Sequence, residues 1–185
     1  MLKILLAGSL LTVGLMAKED VVPKKVYVGV GVTNIHGATY GEYDTVRDIN
    51  FGENTIGGTL VAGYNFYSPQ GSKYNLGGEV RYSAYEFDES ESFDSLKKEY
   101  DTYSFKALLK GVYRTSMDEL DTYALLGYTT LRNDYMELNG IAYGAGIQFP
   151  VTGTDLSMYT DFVFSEYGTD YDTLSEWTFG MNYKF

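Results

Sequence analysis

Trp177-Thr178-Phe179-Gly180-Met181-Asn182-Tyr183-Lys184-Phe185 decides the reading of the chain. Every odd position is large and apolar or aromatic: Trp177, Phe179, Met181, Tyr183 and Phe185. Every even position is small or polar. Side chains alternate faces along a strand, so this stretch has one greasy face and one wet face. A flat aromatic strand left free at a sheet edge would recruit other chains. Pairing with the first strand of a closed barrel removes that edge.

The same alternation recurs seven times upstream. Residues 25–33 put Val26, Val28, Val30 and Val32 opposite Tyr27, Gly29 and Gly31. Residues 58–67 carry Leu60, Ala62, Tyr64 and Phe66 on one face. Residues 73–87 set Tyr74, Leu76, Gly78, Val80, Tyr82 and Ala84 against Asn75, Gly77, Glu79, Arg81 and Ser83. Residues 103–114 set Phe105, Ala107, Leu109 and Tyr113 against Lys106, Leu108, Lys110, Val112 and Arg114. Residues 122–132 fit two phases: either Ala124, Leu126 and Tyr128 face outward, or Tyr123, Leu125 and Leu131 do. Residues 141–149 and 156–166 resume a clean period of two, with Asp161 on the polar face of the latter. Eight strands of about 9 to 12 residues match tilted membrane-spanning strands.

The connections alternate in length. Residues 68–72, 115–121 and 150–155 are tight turns. Residues 34–57, 88–102, 133–140 and 167–176 are longer. That alternation is what an up-and-down barrel gives when its two ends face different compartments.

Dyad period alone does not say which face is outside, because a soluble lipocalin-like barrel shares it. Three features favour a greasy exterior. The polar faces mix charges with small residues such as Gly29, Gly77, Gly144 and Gly180, which suits a narrow interior. Aromatics such as Tyr74, Tyr103, Tyr113 and Phe149 gather near strand ends, as in an interfacial girdle. A targeting segment precedes the strands: Lys3 opens it, 4–16 is an apolar core, and Ala17 is a cleavage point before Lys18-Glu19-Asp20. An uncleaved helical anchor competes with that reading, but the run is short for one. The division is then a signal peptide at 1–17, with a cut site uncertain by a few residues, and a barrel at 18–185.

The terminal strand resembles the C-terminal signal of bacterial outer-membrane β-barrel proteins, in which a final Phe follows alternating aromatics. The resemblance implies that barrel-assembly machinery reads Trp177, Phe179, Met181, Tyr183 and Phe185. Tyr143-Gly144-Ala145-Gly146-Ile147-Gln148-Phe149-Pro150 resembles the sixth strand of small OmpX/Ail-type and OmpA-type barrels. The implied fold is all-β: an eight-stranded antiparallel up-and-down transmembrane β-barrel in a Gram-negative outer membrane. Outer-membrane lipid and lipopolysaccharide are the implied surroundings. The implied roles are adhesion or envelope integrity, because function on such folds lies in sites and not in the architecture.

Composition excludes several classes. There are no cysteines, so no disulfide or thiol chemistry is open to the chain. A net charge of −11 excludes a nucleic-acid binder, which needs a basic footprint. The one histidine, His36, stands in His36-Gly37-Ala38 without the serine and acid a triad needs. The His-x-Ser motif of lipid A deacylase barrels is missing, and 18–24 is too short for the amphipathic helix that opens the palmitoyltransferase barrel. One His and no Cys make no zinc site. No catalytic residue, cofactor or resident metal is expected.

Two groups of charges remain. Glu79, Arg81, Lys106, Lys110, Arg114, Asp161 and Lys184 fall on the inward phase. Buried charges must pair or stay hydrated. Five bases against two acids require trapped water, a shifted phase or acids from the loops. A plugged lumen and a narrow ion-conducting pore are both open at this point. The long connections and their edges hold Glu42, Asp44, Asp48, Glu53, Asp88, Glu89, Glu91, Asp94, Glu99, Asp101, Asp134, Glu137, Glu166, Asp170, Asp172 and Glu176, which is 16 of the 25 acids. A solvated, repulsive surface explains them. Divalent-cation capture is the sharper alternative, with Asp88, Glu89, Glu91, Asp170 and Asp172 as the best local clusters, none at EF-hand spacing. Tyr40, Tyr43, Tyr100, Tyr135, Tyr167 and Tyr171 suit either a contact surface for a host or phage ligand or the upper girdle.

Overall fold

The computed structural model describes residues 26–36, 55–67, 72–88, 99–115, 120–133, 137–168 and 173–185, with side chains masked at 86–88 and 99–100. The targeting segment lies outside the described residues.

Eight strands follow one another: β1 Val26–His36, β2 Thr55–Tyr67, β3 Tyr74–Asp88, β4 Glu99–Arg114, β5 Asp121–Arg132, β6 Glu137–Pro150, β7 Leu156–Glu166 and β8 Leu174–Lys184. Each pairs antiparallel with its neighbour in sequence, and β8 pairs with β1 to close the barrel. Phe185 N donates to the Val26 carbonyl at 2.9 Å at the end of that seam. No free edge is left at the terminal strand, as its pairing with the first strand requires.

The greasy faces point outward. Val30 is 56% exposed, Leu60 58%, Leu109 62% and Trp177 56%. A water-soluble domain does not leave such a continuous apolar surface bare. Inside sit polar groups that a soluble core would reject: Glu79, Arg81, Lys106, Lys110, Asp161 and Glu176 are all buried. The fifth strand takes the first of its two phases. Leu126 and Tyr128 face out, and Tyr123, Leu125 and Leu131 fill the lumen. Sequence could not choose because both faces of that strand are apolar.

Aromatic pairs mark the two ends of the apolar band. Tyr82 stacks on Tyr103 at 5.9 Å and Tyr143 on Phe164 at 5.6 Å toward the long-connection end. Trp177 Nε1 donates to Thr160 Oγ1 at 2.7 Å on the outer wall. Toward the other end Tyr74 packs on Tyr113 at 5.1 Å and Tyr183 on Phe185 at 5.0 Å. Tyr103 and Tyr113 lie on one strand. At about 3.4 Å per residue and a tilt near 40° they stand roughly 26 Å apart across the membrane, close to the height of an outer-membrane apolar band. The folded barrel is expected to resist detergent and to run as a shifted band until boiled. Identical migration before and after boiling would argue against closure.

Most strands run beyond their expected ends toward the long-connection side. β1 reaches His36, β4 begins at Glu99, β6 at Glu137 and β8 at Leu174. The cause is that strand pairing continues past the bilayer, where polar outer faces break the apolar period. Glu176 moves from an expected loop into the barrel wall and, by alternation, faces inward.

Four of the inward tyrosines share one device. Tyr27, Tyr85, Tyr123 and Tyr159 stand directly opposite Gly63, Gly57, Gly146 and Gly180 on neighbouring strands. Each ring lies against its glycine, where a Cβ would collide with it. Glycine supplies the close approach that lets a large ring lie along the wall of a narrow lumen. Hydroxyls supply a second device. Ser83, Thr59, Thr33 and Thr178 form a chain at 2.8, 2.5 and 2.9 Å that crosses β3, β2, β1 and β8, spanning the closing seam.

Candidate functional site: the lumen and the long-connection end

β3 and β7 lie opposite each other in the ring, as do β4 and β8. Both diameters carry an ion pair. Arg81 of β3 donates from Nη1 and Nη2 to the two oxygens of Asp161 on β7, at 2.9 and 2.6 Å. Its Nε donates to Glu79 Oε1 at 2.5 Å. A planar guanidinium can hold both acids at once, which a point-charge ammonium cannot do in this geometry. Glu79 also accepts from Tyr27 OH at 2.6 Å and from Lys110 Nζ at 3.2 Å. Asp161 accepts in addition from Tyr123 OH at 2.7 Å. The Lys110 ammonium sits 4.1 Å from the centre of the Tyr123 ring and 5.1 Å from that of Tyr27. Ring faces attract a cation, so the two tyrosines offset part of its lost hydration.

The second diameter lies nearer the long connections. Lys106 Nζ meets Glu176 Oε2 at 2.6 Å and donates to Ser104 Oγ at 2.7 Å. Tyr85 OH donates to Glu176 Oε1 at 2.7 Å. Above this pair Ile35, Tyr85, Leu131, Leu138, Tyr167 and Leu174 form an apolar cluster that caps the lumen.

The expected excess of inward bases thus disappears. Glu176 supplies one missing partner and was hidden because it reads as loop. Asp121 supplies another and was hidden in an expected turn; its Oδ1 accepts from Arg114 Nε at 3.2 Å. Arg114 and Lys184 were both expected inside and lie at the lower mouth instead. The Arg114 side chain is 48% exposed and Lys184 is half-buried. Both stand at the ends of strands, where a long stem can carry its charge to water. The five residues of the terminal aromatic row all face outward: Trp177, Phe179, Met181, Tyr183 and Phe185. Asp88, Glu89, Glu91, Asp170 and Asp172 fall where no side chain is described. Among the described residues no group of acids and histidine is placed to hold a metal ion.

Charge is distributed very unevenly along the barrel axis. The middle of the lumen holds Glu79, Asp161 and Glu176 against Arg81, Lys106 and Lys110, and is neutral, while the buried Asp121 is counted with Arg114 at the lower mouth. By position in the chain, the end with the short turns carries six acids and six bases from residue 18 onward. The end with the long connections carries 16 acids, now with Glu86 and without Glu176, against Arg47, Lys97, Lys98 and Arg132. That end therefore has a net charge of −12, and Lys3 accounts for the difference from the total of −11.

Known structures share the architecture. The crystal structure of Ail, the attachment invasion locus protein of Yersinia pestis, superposes with a TM-score of 0.58 at 19% identity, over 89% of this chain and all of that one. Ail in complex with the heparin analogue sucrose octasulfate gives 0.60 at 16%, over 89% of this chain and 100% of that chain. Neisserial surface protein A gives 0.59 at 15%, over 86% of this chain and 97% of that chain. At such identities the likeness is one of fold. No curated protein sequence matches the chain. The profile described as outer membrane protein beta-barrel domain matches residues 4–185, nearly the whole sequence. The closed ring of eight strands, greasy outside and charged within, fits that description, and the chain belongs to this family of outer-membrane barrels.

Proposed function

We infer that the protein is a non-catalytic surface protein of the outer membrane that acts through its extracellular end, in adhesion or in envelope integrity. Residues 1–17 serve as the cleaved signal peptide that takes it across the inner membrane. The terminal aromatic row serves as the signal for barrel assembly, and lipopolysaccharide surrounds the upper girdle. The observation that carries the reading is the charge count: one end holds a net −12 while lumen and opposite end balance. A concentrated field of one sign steers an oppositely charged partner and repels a like one.

The sign matters for the choice of partner. The heparin analogue bound in the Ail complex is a polyanion. The extracellular end of this chain repels such a ligand and fits a cationic protein surface. The purified barrel is expected to bind basic host-matrix or serum proteins in low salt and to release them as ionic strength rises, since exposed charges are screened within about 10 Å at 0.1 M. Deleting 37–54 and 89–98 should remove the binding. Retention on immobilised heparin, or binding indifferent to those deletions, would sink the proposal.

Pore function is the weaker reading. Paired charges fill the middle of the lumen, and an apolar cluster lies above them. Planar bilayers with verified insertion are expected to stay electrically silent. Discrete conductance steps that change on Arg81→Glu or Lys106→Glu would restore the pore.

A further inference from the structure

The lumenal charges are sorted by position in the chain. Within the first half, β1 to β4, the fully buried charges are Glu79, Arg81, Lys106 and Lys110, a net of two positive. Within the second half, β5 to β8, they are Asp161 and Glu176 in the middle of the lumen, a net of two negative, and Asp121 at the lower mouth adds a third. Both pairs that cross the lumen, Arg81 with Asp161 and Lys106 with Glu176, join one half to the other. At the lower mouth Arg114 of β4 and Asp121 of β5 repeat the same sense, with Lys184 of β8 as the exception there. Each half contributes four strands, so by strand count alone either half could close a ring with a copy of itself. Two first halves would then enclose four uncompensated positive charges in the middle of the lumen, and two second halves four negative ones there. Desolvated like charges without partners forbid both products.

We propose that the lumenal charge is a pairing code between the two halves of the barrel. A β1–β4 half accepts a β5–β8 half, from its own chain or from a second copy, and refuses its own kind. Such a code works against wrong assemblies in the way that charge patterns fix partners in other folds. It protects a chain that must close in a membrane crowded with copies of itself, and it leaves exchange of halves between two copies open.

The test uses four full-length proteins. One carries Arg81→Asp with Lys106→Glu, which reverses the sign of the first half. A second carries Asp161→Arg with Glu176→Lys, which reverses the second half. A third carries all four substitutions, and the fourth is unaltered. Refolding is read as the heat-shifted band on unboiled gels. Neither double variant alone should give that band, and the quadruple variant should recover it. Refolding the two double variants together should give a heat-shifted species of twice the chain mass, one ring built from unaltered halves and one from reversed halves. A double variant that closes by itself as well as the unaltered protein overturns the proposal. So does a quadruple variant that fails to close, because then individual side chains and not the sign pattern decide. A mixture without the two-chain species, beside a quadruple variant that closes, overturns the exchange between copies.

Discussion

Arg81→Met is expected to lower the stability of the refolded barrel by about 3–5 kcal/mol, the usual cost of breaking a buried ion pair from one side. The methionine fills much of the space but leaves two acids behind. Glu79 keeps Lys110 and Tyr27, whereas Asp161 keeps only Tyr123. The damage is thus mostly a stranded carboxylate on β7. Replacing that group too, in Arg81→Met/Asp161→Leu, should recover a large part of the loss, because an apolar pair needs no partner. Urea unfolding in detergent micelles or lipid vesicles, followed by tryptophan fluorescence, measures both. Trp177 is the only tryptophan and sits on the outer wall, so it reports the loss of the barrel. If the double variant is no more stable than the single, the stranded charge is not the source of the loss.

Gly146→Val should cost about 3 kcal/mol or more, a combination of overpacking and a lost charged hydrogen bond. The first atom of the new side chain would stand 2.5–2.6 Å from the Tyr123 ring, its hydroxyl and the Asp161 Cβ. The ring must leave the wall, and its hydroxyl then leaves Asp161. Adding Tyr123→Ala removes the ring but not the Asp161 Cβ, so it should return only part of the overpacking share while keeping the loss of the hydrogen bond. Unfolding midpoints of the three variants separate the two contributions. A Gly146→Val barrel as stable as the unaltered one would mean that the ring does not rest where the structure puts it. The same reasoning applies to Gly63 beneath Tyr27.

The barrel itself was legible because its cause is local. Seven strands announce their faces through a period of two, and the terminal row from Trp177 to Phe185 fixes the greasy side. What escaped the sequence is what depends on closure. Glu176 precedes Trp177, the first of the terminal aromatic row, and resembles a loop acid until β8 is seen to begin at Leu174. Asp121 looks like part of a turn until its neighbour Arg114 is seen beside it. The choice of Arg81 for Asp161, across the ring and 80 residues along the chain, is set by strand number and register and by no motif. Tyr123, Leu125 and Leu131 have the same chemistry as the lipid-facing residues, so only register could assign them. The tyrosine–glycine pairs are a partial exception: an inward tyrosine calls for a small residue opposite, but the sequence alone does not say which glycine stands there.

The apolar cluster over the Lys106–Glu176 pair has a consequence for how the protein could report an encounter. Ile35, Leu131, Leu138 and Leu174 lie at that end like a cork, and on the reading proposed above neither solute nor a wave of proton hops travels down the axis. On that reading a partner held at the outer rim would leave the periplasmic mouth uninformed. News of the encounter would then spread sideways, by crowding neighbouring proteins or tightening the surrounding lipid, with the barrel a post and not a wire.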